Sequence, residues 1–390
     1  MSSYIFDAVR SPFGRIGKSL SGVRPDDLGA EVIKELLGRN KNIDPESIDE
    51  VILGAANQAG EDNRNVGRMA SLLAGLPTSV PGVTVNRLCG SGLESAIQAS
   101  RSIEIGDQGL IVAGGVESMT RAPWIMPKPS KAFPTQHQTL WSTTLGWRMT
   151  NPEMDKRWTI SLGESAEIVA EKFGISRDAQ DEFAVRSHLL SKQAWDHGVF
   201  ENEVMTLDSS DLAVDEGIRS GTSIEVLGEL TPSFRPKTGT VTAGNSSQLS
   251  DGAAMLLIGG EEQLKNNEPM CRIASRASVG NDPDVFGVAP IEAANRALAL
   301  AGKTWADVDL VELNEAFASQ SLACIGGWPE LDPEKVNIHG GAIAVGHPLG
   351  ASGARILGHL AHELVRRGKG VGVAAICIGV GQGLAVVVER

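Results

Sequence analysis

Two stretches of this chain repeat each other across most of its length. Leu88-Cys89-Gly90-Ser91-Gly92 returns as Leu349-Gly350-Ala351-Ser352-Gly353 at an offset of 261, and IDEVILG (48–54) returns as VDLVELN (308–314) at an offset of 260. Apolar residues at helical spacing precede the second pair, at 26–37 and 290–301. Each member of the first pair is followed by a helical stretch and then a glycine-flanked apolar run. Two matches at nearly one offset describe a duplicated α/β unit. The period is far longer than the roughly 20–50 residues of solenoid repeats. Residues 1–120 alternate strand and helix signals, with strands expected at 4–8, 51–55, 82–86 and 109–114, which predicts a sheet with helices packed on it.

Residues 121–250 break this rhythm. Pro123, Pro127, Pro129 and four tryptophans (Trp124, Trp141, Trp147, Trp158) fall in polar surroundings, and two helices follow, over 163–173 and 177–197. Ser176 is the expected N-cap of the second. Such a segment is too structured for a linker, and binding residues collect on insertions of this kind. The expected organisation is an N-terminal half (1–120), an inserted loop domain (121–250) and a C-terminal half (251–390).

The repeat directs attention to its turns. Cys89 stands where the strand 82–86 gives way to a helix. Free N–H groups and the positive end of the helix dipole there favour a thiolate, and the adjacent glycines would let a substrate carbonyl approach. A small cysteine that merely packs is the plainer alternative. The sister turn, GGAIAVGHPLGASGAR (340–355), carries His347 before Pro348, which holds it out of the helix. At the matching turn of the second unit, His347 is the base or ion-pair partner for Cys89. Cys377 closes the last long apolar run in CIGVGQG (377–383), where Gly379 can offer a backbone N–H to a bound oxygen. Another strand, not a helix, is expected after these glycines, so they are not a dinucleotide fingerprint. Asn314 and Glu315 open NEAFASQ, Asn314 as a side-chain donor and Glu315 as an orienting group or a cap. GRIGKS (14–19) lacks the spacing of a phosphate loop.

Charge and cysteine usage narrow the classes. With 35 basic against 48 acidic residues the net charge is −13, which argues against nucleic acid and anionic membranes as partners. Cys89, Cys271, Cys324 and Cys377 have neither zinc-site nor disulfide spacing, so no metal and a reducing, cytoplasmic setting are expected. No apolar run approaches a membrane span, and no targeting segment is recognisable.

NRLCGSG, NEAFA, GGAIAVGHPLGASGAR and CIGVGQG, in that order and together with VTAGNSSQLSDGAA (241–254), resemble the motifs of the thiolases, acetyl-CoA acyltransferases, over essentially the whole chain. The resemblance implies a five-layer αβαβα core from two similar domains, with a loop domain that contacts CoA. It implies coenzyme A or acyl-CoA as substrate, no nucleotide redox cofactor, and a homodimer or homotetramer. It assigns Cys89 as the acyl carrier, His347 as its base, and Cys377 as the acid and base at the substrate's α-carbon. One oxyanion site is implied at His347 with a water held by Asn314, the other at the N–H groups of Cys89 and Gly379. Ser247 and Phe317 match pantetheine contacts, and Arg219 a position near the nucleotide. Biosynthetic acetoacetyl-CoA thiolases carry His-Met-Gly where this chain has Ser161-Leu162-Gly163. NQAGEDNRNV (57–66), TTLGWRMTNP (143–152) and GVGQGLAVVVER (379–390) instead resemble the 3-oxoadipyl-CoA and 3-ketoacyl-CoA branch. The expected reaction is therefore degradative, with biosynthetic condensation as the alternative. A ketoacyl-synthase-type enzyme or a non-catalytic acyl-CoA binder are alternatives of another class.

Overall fold

A computed structural model describes all 390 residues. The first half runs β1 (Ser3–Arg10), β2 (Gly14–Arg15), α1 (Pro25–Arg39), β3 (Glu50–Gly54), α2 (Val66–Leu73), β4 (Gly82–Val85), α3 (Ser91–Ile105) and β5 (Leu110–Ser118). A hairpin of β6 (Trp124–Ile125) and β7 (Trp141–Ser142) follows, then α4 (Leu162–Phe173), α5 (Arg177–Asp196) and α6 (Ile224–Gly228). The chain closes with β8 (Ser250–Gly259), β9 (Cys271–Gly280), α7 (Ala289–Leu300), β10 (Leu310–Leu313), α8 (Ala318–Gly326), α9 (Ala342–Val345), α10 (Leu349–Arg367), β11 (Val371–Ile378) and β12 (Gln382–Glu389).

The strands run in the order β10-β11-β12-β9-β1-β8-β5-β3-β4, with β2 beside β8. β10 and β11 are parallel, as are β3 with β4 and β5, and the remaining pairs are antiparallel. The two halves of the sheet meet at a short pairing of Ser3–Ile5 with Cys271–Ile273, so the hydrogen-bond path is continuous. The alternation of side chains across each strand sorts the core into layers. On β11, Ala374, Ile376 and Ile378 face a central cluster with α3 and α10, while Val373 and Ala375 face α7 and α8. On β8, Ala254, Leu256 and Ile258 join the same central cluster, and Ala253, Met255 and Leu257 pack with α1 and α2. The five expected layers follow: α1/α2, sheet, α3/α10, sheet, α7/α8.

One boundary differs from expectation. Residues 251–259, placed in the C-terminal half by the resumption of the strand rhythm, pair with β1 and β5 of the first half. Sequence periodicity reports that a strand exists but not which neighbour it joins. Here antiparallel ladders on both sides draw β8 across the insertion.

The repeated glycines also do something other than expected. A Cβ on Gly92 would lie 2.5 Å from the carbonyl oxygen of Gly350, and one on Gly353 would lie 2.2 Å from the backbone nitrogen of Leu93. α3 and α10 therefore cross backbone to backbone, and Gly92 serves that crossing, not a substrate carbonyl. Gly92→Ala is expected to force the helices apart, costing about 1–3 kcal/mol and displacing Cys89 relative to His347. A lower Tm with a fall in kcat larger than any change in KM is the expected result. An unchanged Tm would show that the crossing has slack.

The insertion is tied down by capped helices. The Ser161 and Ser176 hydroxyls cap α4 and α5, accepting from the N–H groups of Glu164 and Ala179. Glu167 on α4 accepts from the N–H groups of Thr240 and Val241, and Ser187 on α5 donates to Glu315 at 2.7 Å. Glu315 also accepts from Asn337 and from the N–H of Ile343, so it orients the approach to the His347 turn. No helix is long and apolar enough to cross a membrane.

Candidate active site

Cys89, His347, Asn314, Cys377 and Gly379 come together at the ends of β10, β11, α3 and α10. Cys89 lies immediately before Gly90, the N-cap of α3, and Leu88 before it adopts φ 47°, a costly conformation for a side chain with a Cβ. Across from it, Val380 (φ 58°) follows Gly379 at the end of β11. Both departures from ordinary backbone flank the Cys89 sulfur. The backbone N–H groups of Gly379 and of Cys89 itself favour the Cys89 thiolate, and neither donates to a carbonyl.

Burial changes the expected state of the thiol. Cys89 is 6% exposed, and loss of water pushes its pKa up to about 11, although the two N–H groups partly oppose this and Glu117 adds to it. The resting residue is a thiol. The helix N-terminus does not by itself make a thiolate, because desolvation of a charge outweighs the dipole here. Alkylation by iodoacetamide should therefore quicken about tenfold per pH unit from 7 to 10. A plateau below pH 8 in the measured rate would overturn that assignment.

His347 is neutral. Burial first, and the Arg355 charge second, hold its pKa down to about 3. Its Nδ1 lies 2.6 Å from Ser352 Oγ, whose single proton goes to the Pro348 carbonyl at 2.9 Å. Ser352 therefore accepts from Nδ1–H, and Nε2 keeps its lone pair. Asn314 Nδ2 donates toward Nε2 at 3.4 Å, and Asn314 Oδ1 is buried with no protein donor. In the first unit Ser91, the repeat partner of Ser352, donates one position nearer, to the carbonyl of Leu88, and accepts from the N–H of Arg87. Because the unfolded imidazole titrates near 6.5, the unfolded chain binds a proton between about pH 6.5 and 3 that the folded chain does not. Stability from this group is lost as pH falls through that window.

A cavity opens beside these residues, lined by Cys89, His347, Ser247, Phe317, Leu162 and Phe234 among others. Its walls are mainly apolar and come from both halves and the insertion. A second, smaller cavity shares Cys89, Met119, Leu145, Gly146, Leu162 and Leu349 with it and adds Asn57, Glu117, Trp147, Arg148 and Gly379. Cys377 lines neither. It is fully buried on β11 in a cluster with Phe286, Ala316 and Phe317, which line the larger cavity. Burial, with Cys89 and Cys324 adding to it, raises the Cys377 thiol well above the ordinary range. Cys271 and Cys324 are buried thiols raised to about 12 by burial, and no disulfide is present. Arg219 is the site residue the fold does not bring in. It sits on an exposed loop where its N–H donates to His188, outside both cavities and without an ion pair.

Sequence reasoning missed the walls. Trp147, Arg148 and Met119 lie outside any periodic element. The tryptophan clustering in 121–160 and the run 143–152 point to this stretch without showing that it lines a cavity. Sequence reasoning also missed a cluster of half-buried His339 with buried His359 and Glu363, whose ligand-type atoms lie within 4.8 Å of one another: the last two stand four apart on α10, but His339 reaches them from a separate loop.

Comparison with known proteins places this geometry. The family models described as thiolase, N-terminal domain, and thiolase, C-terminal domain, match residues 3–262 and 267–390. The chain is 48% identical to a beta-ketoadipyl-CoA thiolase of Escherichia coli, covering 100% of this chain and 99% of that one. It is 47% identical, over the same shares, to a 3-oxoadipyl-CoA/3-oxo-5,6-dehydrosuberyl-CoA thiolase of Escherichia coli strain K12. Among solved structures, human mitochondrial 3-ketoacyl-CoA thiolase in complex with CoA superposes with a TM-score of 0.94 at 37% identity, covering 100% of this chain and 98% of that one. The chain belongs to the thiolase family. It is an acyltransferase that works between CoA thioesters.

Proposed function

We propose that this thiolase cleaves 3-oxoadipyl-CoA or a close 3-oxoacyl-CoA in the degradative direction, with Cys89 as acyl carrier. The observation that carries the role of Cys89 is its place in one cavity with neutral His347, beside N–H groups of Cys89 and Gly379 that donate to no carbonyl. The substrate reading rests on the two relatives named above and on the run 143–152. In the forward reaction His347 Nε2 takes the thiol proton, and Sγ forms a bond to C3. The alkoxide forms against the N–H groups of Cys89 and Gly379. The C2–C3 bond then breaks, and its electron pair passes into an acetyl-CoA enolate held by His347 Nε2–H and a water on Asn314. Cys377 gives its proton to C2. Free CoA next loses its thiol proton to Cys377 and attacks the acyl group. Cys89 leaves and recovers its proton from His347. The cycle closes with no net proton change on the protein.

Ser247 and Phe317 are proposed to hold pantetheine, since both line the larger cavity. Arg219, whose pKa partial burial first and the nearby charge of Arg15 second hold down, is proposed to meet the phosphate end of CoA outside that cavity. A homo-oligomeric, cytoplasmic enzyme is the setting that the free cysteines and the family support. Thiolysis of acetoacetyl-CoA, longer 3-oxoacyl-CoAs and 3-oxoadipyl-CoA tests the reading. The highest kcat/KM is expected for 3-oxoadipyl-CoA, and strong preference for acetoacetyl-CoA would overturn it.

A further inference from the structure

We propose that Arg148 binds the distal carboxylate of a dicarboxylic 3-oxoacyl thioester, and so sets the acyl specificity of the smaller cavity. This deepens the substrate reading above and rests on it. The two cavities meet at Cys89, and the larger one contains His347, Ser247 and Phe317. If that side receives the CoA arm, the acyl group retained on Cys89 has the smaller cavity to occupy. Arg148 is the one cationic residue lining it.

Arg148 is half-buried, forms no salt bridge, and makes no side-chain hydrogen bond within the protein. Neighbouring arginines behave otherwise: Arg121 pairs with Glu61, and Arg87 with Glu94. A guanidinium left without an anion at the wall of a reactive cavity is poised for a ligand's anion, and its planar fork suits a carboxylate bidentately. Its position is anchored from both sides. Asn57 donates to Thr143 Oγ1 at 2.9 Å and to the Thr143 carbonyl, and Trp147 Nε1 donates to the Ile160 carbonyl at 3.1 Å. Trp147 packs so closely on Gly379 that a Cβ there would lie 3.0 Å from the indole. The segment 143–148 is thus laid against the atoms that face the Cys89 sulfur.

The intermediate supplies the anion. Cleavage of 3-oxoadipyl-CoA leaves a succinyl group on Cys89, with its carboxylate about 5–6 Å from Sγ when extended. Glu117 also lines the cavity and repels an anion to the extent that it is ionised. Burial raises its pKa to about 7, against the N–H groups of Ala56, Asn57 and Gly350 that bond its oxygens. Arg148 is the one cationic residue in this cavity to offset it for the acyl tail.

The test compares kcat/KM for 3-oxoadipyl-CoA and for 3-oxohexanoyl-CoA, which has the same chain length without the carboxylate. Wild type should favour the dicarboxylic substrate, and Arg148→Gln should lower that ratio by roughly 10- to 100-fold, with Arg148→Lys recovering part of it. Added salt should reduce the wild-type ratio and leave that of Arg148→Gln flat. A ratio unchanged in Arg148→Gln, with wild type still preferring 3-oxoadipyl-CoA, overturns the assignment of Arg148 alone. A wild-type enzyme with no such preference overturns the substrate reading and this inference together.

Discussion

Cys89→Ala should abolish thiolysis, lowering kcat by about 10⁴-fold or more, because no other group in the cavity can carry the acyl chain. The neighbouring thiol does not substitute for it. Cys377 lines neither cavity and is held well above the ordinary thiol range by burial. The variant should nevertheless fold. The lost sulfur belongs to a central cluster of 33 buried residues, and removing one atom of that size costs about 1 kcal/mol. The expected picture is a Tm within a few degrees of wild type, no mass increment of one acetyl group after incubation with acetyl-CoA, and no turnover. Activity within tenfold of wild type would show that the nucleophile has been misassigned.

Cys377→Ala should divide the reaction into its two halves. Acetylation of Cys89 by acetyl-CoA, and exchange of the acetyl group with free CoA, need no carbanion and should persist. Cleavage of the carbon–carbon bond requires a proton at C2 and should fall by roughly 10³-fold or more, within the range of a lost acid–base catalyst. Exchange of the methyl protons of acetyl-CoA with deuterated solvent should disappear with it. The experiment is demanding because Cys377 is fully buried. If acetyl exchange and bond cleavage fall in parallel, the variant has disturbed Cys89 and Gly379, and the separate role of Cys377 fails.

The site was legible where chemistry is tied to local sequence, and less so where burial or distant contacts decide. The turn at Cys89, the turn at His347 and the end of the last long strand each carry a residue type, a glycine pattern and a change of periodicity within a few positions. Duplication then linked the first two without any structural knowledge. What escaped was environmental. A cysteine before a helix reads as a thiolate, yet Cys89 is a thiol, because removal of water outweighs a partial dipole charge. Gly92 reads as room for a ligand, yet it receives the backbone of Gly350. Arg219 and Arg148 look alike as loop arginines. One lies on an exposed loop outside both cavities and the other lines the smaller one.

The amino-acid order alone determined the duplicated α/β units, the capped helices between them and the turns on which Cys89, His347 and Cys377 stand. These follow from periodicity, capping and backbone preference, which act over a few residues. Only the tertiary structure decided that β8 joins the first half, that Ser352 turns His347 so that Nε2 keeps its lone pair, and that Arg148 faces the cavity beside Cys89. The placing of β8 and of Arg148 depends on partners tens to hundreds of residues away, which no single stretch of the chain records. The Ser352–His347 contact spans only five residues and needed the folded turn to bring ring and hydroxyl together.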